Sequence, residues 1–288
     1  MTPVILKNAG PLLTRYEAIF CDVWGVLHDG RQAYQPAGEA LARFRLLGGT
    51  VILVSNAPVP ADGVEQVLAR TGVRRDAWDA IVSSGDIALA HITEKGYRRM
   101  HWVGPSERDY KLYLRLQQPQ AELADADAIV CTGLRDDRHE TVADYRGLIE
   151  AGVRRQLPFV CANPDLVVDV GPLRLPCAGS IATEYERLGG QVFWAGKPHP
   201  VAYATAVQRA GERRGAAPAL SRILAIGDAL RTDMAAARGL GVAGLFIAAG
   251  IHSDDLIEGG EIDPARLGKL LASADGAAAV AAMPELRW

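Results

Sequence analysis

Four short apolar runs in this chain each end on polar residues. Ala18-Ile-Phe-Cys-Asp22-Val-Trp24-Gly25 delivers a carboxylate, and Val51-Ile-Leu-Val-Ser55-Asn56 a hydroxyl and an amide. Val192-Phe-Trp-Ala-Gly-Lys197-Pro-His199 delivers an ammonium, and Ile223-Leu-Ala-Ile-Gly227-Asp228-Ala-Leu-Arg-Thr232-Asp233 two more carboxylates. An acid after a strand is by itself an ordinary turn former or helix cap. Four such ends at one edge make a different object. A carboxylate can attack phosphorus, a hydroxyl and an amide can donate to phosphoryl oxygens, and an ammonium can offset the charge that builds up there. The paired acids suit a hard divalent cation.

The elements that must position these groups are legible as alternation. Continuous apolar runs are the mark of parallel strands buried on both faces, and open α/β sheets carry their chemistry outside the carboxyl ends of those strands. The spacing predicts a helix over Pro36–Leu47, with Pro36 in the first turn and Gly48-Gly49 as the stop. A strand follows at Thr50–Val54, a helix at Ala61–Arg70 and a strand at Asp79–Ser83. From Ser84 a second α/β series begins: helix Asp86–Glu94, strand His101–Val103, helix Glu107–Leu116, strand Ala128–Cys131, helix His139–Gly152, strand Phe159–Cys161 and helix Ala178–Leu188. The first series then resumes with strand Gln191–Ala195, helix Pro200–Gly215, strand Arg222–Ile226, helix Thr232–Leu240, strand Gly244–Ala248 and helix Pro264–Ala274. This predicts an α/β fold: a Rossmann-like, doubly wound parallel-sheet core (1–83 and 190–288) with an inserted α/β cap domain (84–189) over the strand ends.

Composition narrows the function classes. With 288 residues and 49% of them hydrophobic, the chain can bury a large core, and a net charge of −3 gives no basic footprint for nucleic acid. The start, Met1 to Lys7, has no apolar stretch of signal-peptide type. Gly241–Ile251 is too short and glycine-rich to span a bilayer. A cytoplasmic protein with no membrane or nucleic-acid partner is the expectation. Cys21, Cys131, Cys161 and Cys177 show no C-x-x-C pairing and read as small core residues. Gly239-Leu-Gly241-Val-Ala-Gly244 matches G-x-G-x-x-G, but it follows a helix and precedes a strand, the reverse of a dinucleotide site. His199 reads as the start of the next helix.

Asp22-x-x-Gly25-Val-Leu, Ser55-Asn56, Gly196-Lys197-Pro198 and Gly227-Asp228-x-x-x-Thr232-Asp233 resemble the four ordered motifs of the haloacid dehalogenase superfamily. The insertion between the second and third motifs, with Asn163-Pro164-Asp165 inside it, resembles the class IIA subgroup. That subgroup includes sugar-phosphate, nitrophenyl-phosphate, pyridoxal-phosphate and phosphoglycolate phosphatases. The resemblance implies a small phosphorylated substrate, catalysis by Asp22, Ser55, Asn56 and Lys197, and an aspartyl-phosphate at Asp22. It also implies Mg²⁺ held by Asp22, Asp228, Asp233 and the main-chain carbonyl of Trp24. Asp233 would orient a metal water or Lys197. Caps of this class often pair, so a homodimer through the cap is the partner expectation.

Trp24 departs from the family pattern, in which a second Asp two residues after the nucleophile protonates the leaving alcohol. Indole donates a hydrogen bond but exchanges no proton at neutral pH. Three outcomes stay open on the sequence: a phosphatase with a substitute acid such as His28, Asp29, a cap residue or the substrate itself, chemistry that needs no leaving-group proton, or a weakened pseudo-phosphatase that binds phosphorylated ligands. Arg135-Asp-Asp-Arg-His139, after a cap strand, reads as a solvated loop that could also face the site.

Overall fold

The computed structural model describes residues 3–171, 173–272 and 279–288. Two compact units divide the chain: 1–55, 65–82 and 197–288 form the first, and 56–64 with 83–196 the second. The first is built on a seven-stranded sheet. Its order is Val4–Ile5 (β1), Ala279–Met283 (β15), Ala243–Ile247 (β12), Ile223–Gly227 (β11), Ala18–Cys21 (β2), Thr50–Ser55 (β3) and Ala80–Ser83 (β4). The pairs from β1 to β3 are parallel.

Every residue of β2, β3 and β11 is buried, which is why these segments carry uninterrupted Ile, Val, Leu and Phe. Each such side chain withdrawn from water stabilises the unit by about 1.5–3 kcal/mol. The chain winds outward from the centre in both directions: β2 leads to β3 and β4 on one side, and β11 to β12 and β15 on the other. The adjacent pair β2 and β11, in register Cys21 against Ile226, is therefore the topological switch point, where a doubly wound sheet opens a crevice.

The second unit has its own parallel sheet, in the order Val192–Trp194 (β10), Phe159–Cys161 (β7), Ala128–Cys131 (β6) and Met100–Val103 (β5). Its core gathers Phe159, Tyr145, Tyr185, Ile149 and Ile181. The described residues also hold two antiparallel pairs: Val167–Val170 (β8) with Leu173–Pro176 (β9) in the second unit, and Ile257–Glu258 (β13) with Glu261–Ile262 (β14) in the first.

Several sequence expectations are corrected here. The strand expected at Gln191–Ala195 does not resume the first sheet; β10 pairs with β7 in the second. Its half-buried residues show an edge strand, a distinction that apolar character alone does not encode. The helix expected over Thr232–Leu240 opens as a π-turn, Leu230–Met234, before the α-helix Ala235–Leu240. The segment expected as one helix over His139–Gly152 is a 3-10 turn, Val142–Tyr145, followed by Arg146–Arg154. The helix beginning at Pro264 is described to Ala272; residues 273–274 of that expectation lie outside the described residues.

Candidate active site

Asp22 directly follows β2, and its backbone N–H still donates to Ile226 O at 2.8 Å, extending the pairing with β11 by one residue. Asp228 directly follows β11. Adjacent parallel strands in fixed register thus carry these two acids side by side. Asp233 arrives differently. The wide turn, in which the Met234 N–H reaches back five residues to Ala229 O, folds Asp233 toward β11, where its Oδ2 lies within 3.3 Å of the Ala229 N–H that donates to it. Single π-turns of this kind recur at functional sites. Carboxylate oxygens of Asp22, Asp228 and Asp233 all lie within 4.8 Å of one another.

Lys197 joins them. Its Nζ donates to Asp22 Oδ1 at 2.6 Å and to Asp233 Oδ1 at 2.7 Å. The lysine side chain is 2% exposed and Asp233 1%, while Asp22 keeps 12%. Asp22 is accordingly the acid that a solute can reach. Burial would push the ammonium pKa down, but Asp22 and Asp233 outweigh it and hold that pKa well above the ordinary value. Burial, and then the charges of Asp22 and Asp233, push Asp228 well above the carboxylate range. Burial and Asp22 likewise raise Asp233 to about 6, against the lowering effect of Lys197. One ammonium among three carboxylates leaves the cluster short of positive charge. An all-oxygen, acid-rich donor set is what a hard divalent cation such as Mg²⁺ takes, so these residues fit the ion the resemblance implies.

Glycines give the acids their room. Gly25 has φ +82°, a conformation favouring glycine, and a Cβ there would lie 2.2 Å from Asp228 Oδ2. A Cβ on Gly250 would lie 1.9 Å from the same oxygen, and one on Gly227 would lie 2.1 Å from Asp233 Cγ. The Ile251 N–H donates to Asp228 Oδ2 at 2.8 Å. Sequence reading missed this support, although Gly250 just beyond β12 was a signal of close backbone approach.

Ser55 ends β3 beside β2 and is 8% exposed. Asn56, the next residue and 5% exposed, opens the second unit. There its Nδ2 donates to Asp165 Oδ1 at 2.8 Å, a partner no sequence spacing announced. In the first unit, then, Asp22, Asp228, Asp233 and Lys197 come together.

Trp24 is half-buried, its ring edge-on to His28 at 5.3 Å between centroids. A Cβ on Gly30 would lie 2.4 Å from the indole. Neither nearby substitute acid keeps that role. His28 is 1% exposed, and burial lowers its pKa to about 4. Its Nδ1 accepts the Gly30 N–H at 2.9 Å, which puts the neutral ring's proton on Nε2. Asp29 accepts from the Arg31 and Gln32 N–H groups, each at 2.8 Å, and the turn holds it below the usual range, as an ionised acceptor.

The other candidates fall where the sequence put them or are plainly structural. All four cysteines are buried and unbridged, and burial raises the Cys21 thiol well above its ordinary value. His199 precedes the helix Pro200–Arg214 as its N-cap residue. In the loop after β6, exposed His139 pairs with Asp136 at 2.8 Å, and Asp137 pairs with Arg108 at 2.7 Å. Gly241 caps a helix with φ +78°, so the glycine pattern there is a helix stop.

Comparison with known proteins identifies the family. Residues 19–113 match the family described as haloacid dehalogenase-like hydrolase. Residues 194–274 match the one described as HAD-hydrolase-like. A hydrolase of the haloacid dehalogenase-like family from Brucella suis 1330 is 40% identical, with a TM-score of 0.85, over 98% of this chain and 100% of that one. The chain belongs to the haloacid dehalogenase-like hydrolase family. Its fold is also that of a possible sugar phosphatase from Cytophaga hutchinsonii (19% identical, TM-score 0.74, 98% of each chain). A glycerol phosphate phosphatase from Mycobacterium tuberculosis, solved with magnesium, shares the fold at 23% identity and TM-score 0.63, over 83% of this chain and 70% of that one. No curated protein matches the chain in sequence. Among the described residues, no helix of this haloacid dehalogenase-like hydrolase is long and apolar enough to cross a membrane.

Proposed function

We propose that this haloacid dehalogenase-like hydrolase is a Mg²⁺-dependent phosphatase of small phosphorylated metabolites, with Asp22 as nucleophile. The observation that carries the reading is the buried Lys197 ammonium, bonded at once to Asp22 and Asp233 beside Asp228 at the switch point. Structural neighbours whose names describe phosphatases support it. The second unit, 56–64 with 83–196, as a substrate-specifying cap, and the cytoplasm as compartment, belong to the same proposal.

A divalent cation would be held by Asp22, Asp228, Asp233 and the Trp24 carbonyl, where it supplies positive charge against the phosphoryl oxygens. The chain does the rest. A carboxylate oxygen of Asp22 bonds to phosphorus as the ester oxygen leaves with its electron pair. Water then attacks the aspartyl-phosphate, releasing inorganic phosphate and restoring the carboxylate. Lys197 keeps its proton throughout; it holds Asp22 in line and adds charge where the transition state is most anionic. Ser55 and Asn56 donate to the transferred group.

The test is hydrolysis of 4-nitrophenyl phosphate with Mg²⁺ by the protein and by Asp22→Asn. Loss of a covalent nucleophile removes about 10⁴-fold or more of kcat. Equal rates for the two proteins would refute the reading and leave a non-enzymatic phosphate binder.

A further inference from the structure

Within the second unit a turn holds one atom of Asn56, and the bond spans 109 residues of sequence. We propose that Asp165 is a positioning residue that fixes the carboxamide of Asn56 for phosphate; this rests on the phosphoryl-binding role proposed for Asn56. A carboxamide has two ends of nearly equal shape and opposite hydrogen-bonding sense, so a lone Asn can present either. A carboxylate oxygen can only accept from it. Asp165 Oδ1, at 2.8 Å, therefore selects the Nδ2 end, and the opposite end, Oδ1, lies 3.5 Å from the Ser84 hydroxyl that donates to it. Gly196 confines the group from a third side: a Cβ there would lie 2.5 Å from Asn56 Oδ1 and 2.2 Å from Ser84 Oγ.

Asp165 is itself held. Its N–H donates to Asn163 Oδ1 at 3.1 Å, and its carbonyl accepts the Gly179 N–H at 3.1 Å. Gly179 belongs to the helix Ala178–Arg187, and a Cβ on it would lie 2.4 Å from the Asp165 carbonyl oxygen. Helix, turn and carboxylate form one supporting chain that ends on the Asn56 amide. Supporting contacts of this kind, once removed from the reacting group, change activity by about 10- to 100-fold when deleted.

The experiment is a double-mutant cycle on the full chain with Mg²⁺ and 4-nitrophenyl phosphate, using Asp165→Ala, Asn56→Ala and both together. Asp165→Ala should lower kcat by about 10- to 100-fold, and the same change in the Asn56→Ala background should cost nothing further. Asp165→Asn, whose amide oxygen can accept the same N–H, should recover most of the loss. Equal losses in both backgrounds, or no loss at all, would overturn the proposal. The cycle is repeated by calorimetric binding of inorganic phosphate to the Asp22→Asn protein, where turnover plays no part. Should Asp22→Asn remain active, the nucleophile assignment fails, and the phosphate-binding cycle still decides Asp165.

Discussion

Replacing Trp24 by Asp supplies a side chain able to give and take a proton two residues after Asp22, the proposed nucleophile. The cost in stability follows from what the indole touches. It is half-buried, edge-on to His28 at 5.3 Å and flush against Gly30, so removing it costs about 2 kcal/mol of folding free energy. The new carboxyl would stand two residues along the chain from Asp22, and a like charge nearby raises a carboxyl pKa toward the range a general acid needs. General acid help contributes about 10²- to 10⁴-fold, or about 2.7–5.4 kcal/mol of barrier. That gain applies only where the leaving oxygen departs poorly as an anion. Nitrophenolate needs no proton; an alkoxide does. The assay is therefore a pair of kcat/KM values, one on 4-nitrophenyl phosphate and one on an alkyl phosphate such as glycerol phosphate. Trp24→Asn serves as the control of equal shape without the proton. Trp24→Asp should raise the alkyl-to-aryl rate ratio at least about 100-fold over Trp24→Asn. A ratio that stays constant across wild type and both variants would refute the reading that position 24 is where the proton donor is missing.

Mg²⁺ at about 100 times its dissociation constant should stabilise the protein by about 2.7 kcal/mol, read as a rise in thermal midpoint; Asp228→Asn should abolish most of that rise. Gly250→Ala places a methyl where Asp228 Oδ2 lies, so it should lower activity about 100-fold by displacing that acid while leaving a cooperative unfolding transition. A variant of normal activity would show the contact to be slack. His28 binds a proton more weakly folded (about 4) than unfolded, so its contribution is present above pH 6.5 and lost as pH falls from 6.5 toward 4, amounting to about 3 kcal/mol. Urea midpoints for wild type and His28→Gln across that window should converge at low pH; parallel curves would show that His28 titrates normally.

Much of this site was legible in the sequence because strand ends are. Asp22 and Asp228 stop two fully apolar runs, and a parallel sheet must deliver such residues to one edge. Lys197 was found for a partly mistaken reason: the strand before it, β10, pairs in the second sheet, and an apolar triplet does not say which sheet it joins. The structure places Asp233 beside Lys197 and Asp22, but the wide turn that carries it there leaves no mark in helical periodicity. The burial of His28 has no sequence signal, because burial of a lone imidazole depends on what folds over it, here the Trp24 and Gly30 turn. Asp165 could be noticed in Asn163-Pro164-Asp165, yet its bond to Asn56 joins residues far apart in the chain, beyond any local pattern. The hairpin of β8 and β9 was missed because Asp169 and Arg174, an exposed cross-strand ion pair, break the apolar run that marks a strand.

The pairing of Cys21 with Ile226 makes the spacing of the two strand-borne acids a matter of whole residues. Sliding either strand by one position would move its acid along the sheet by a full residue repeat of about 3.3 Å, so intermediate separations are closed to the backbone. Heating should then leave the catalytic spacing intact until the central strands part, and inactivation should coincide with melting of the sheet instead of running ahead of it.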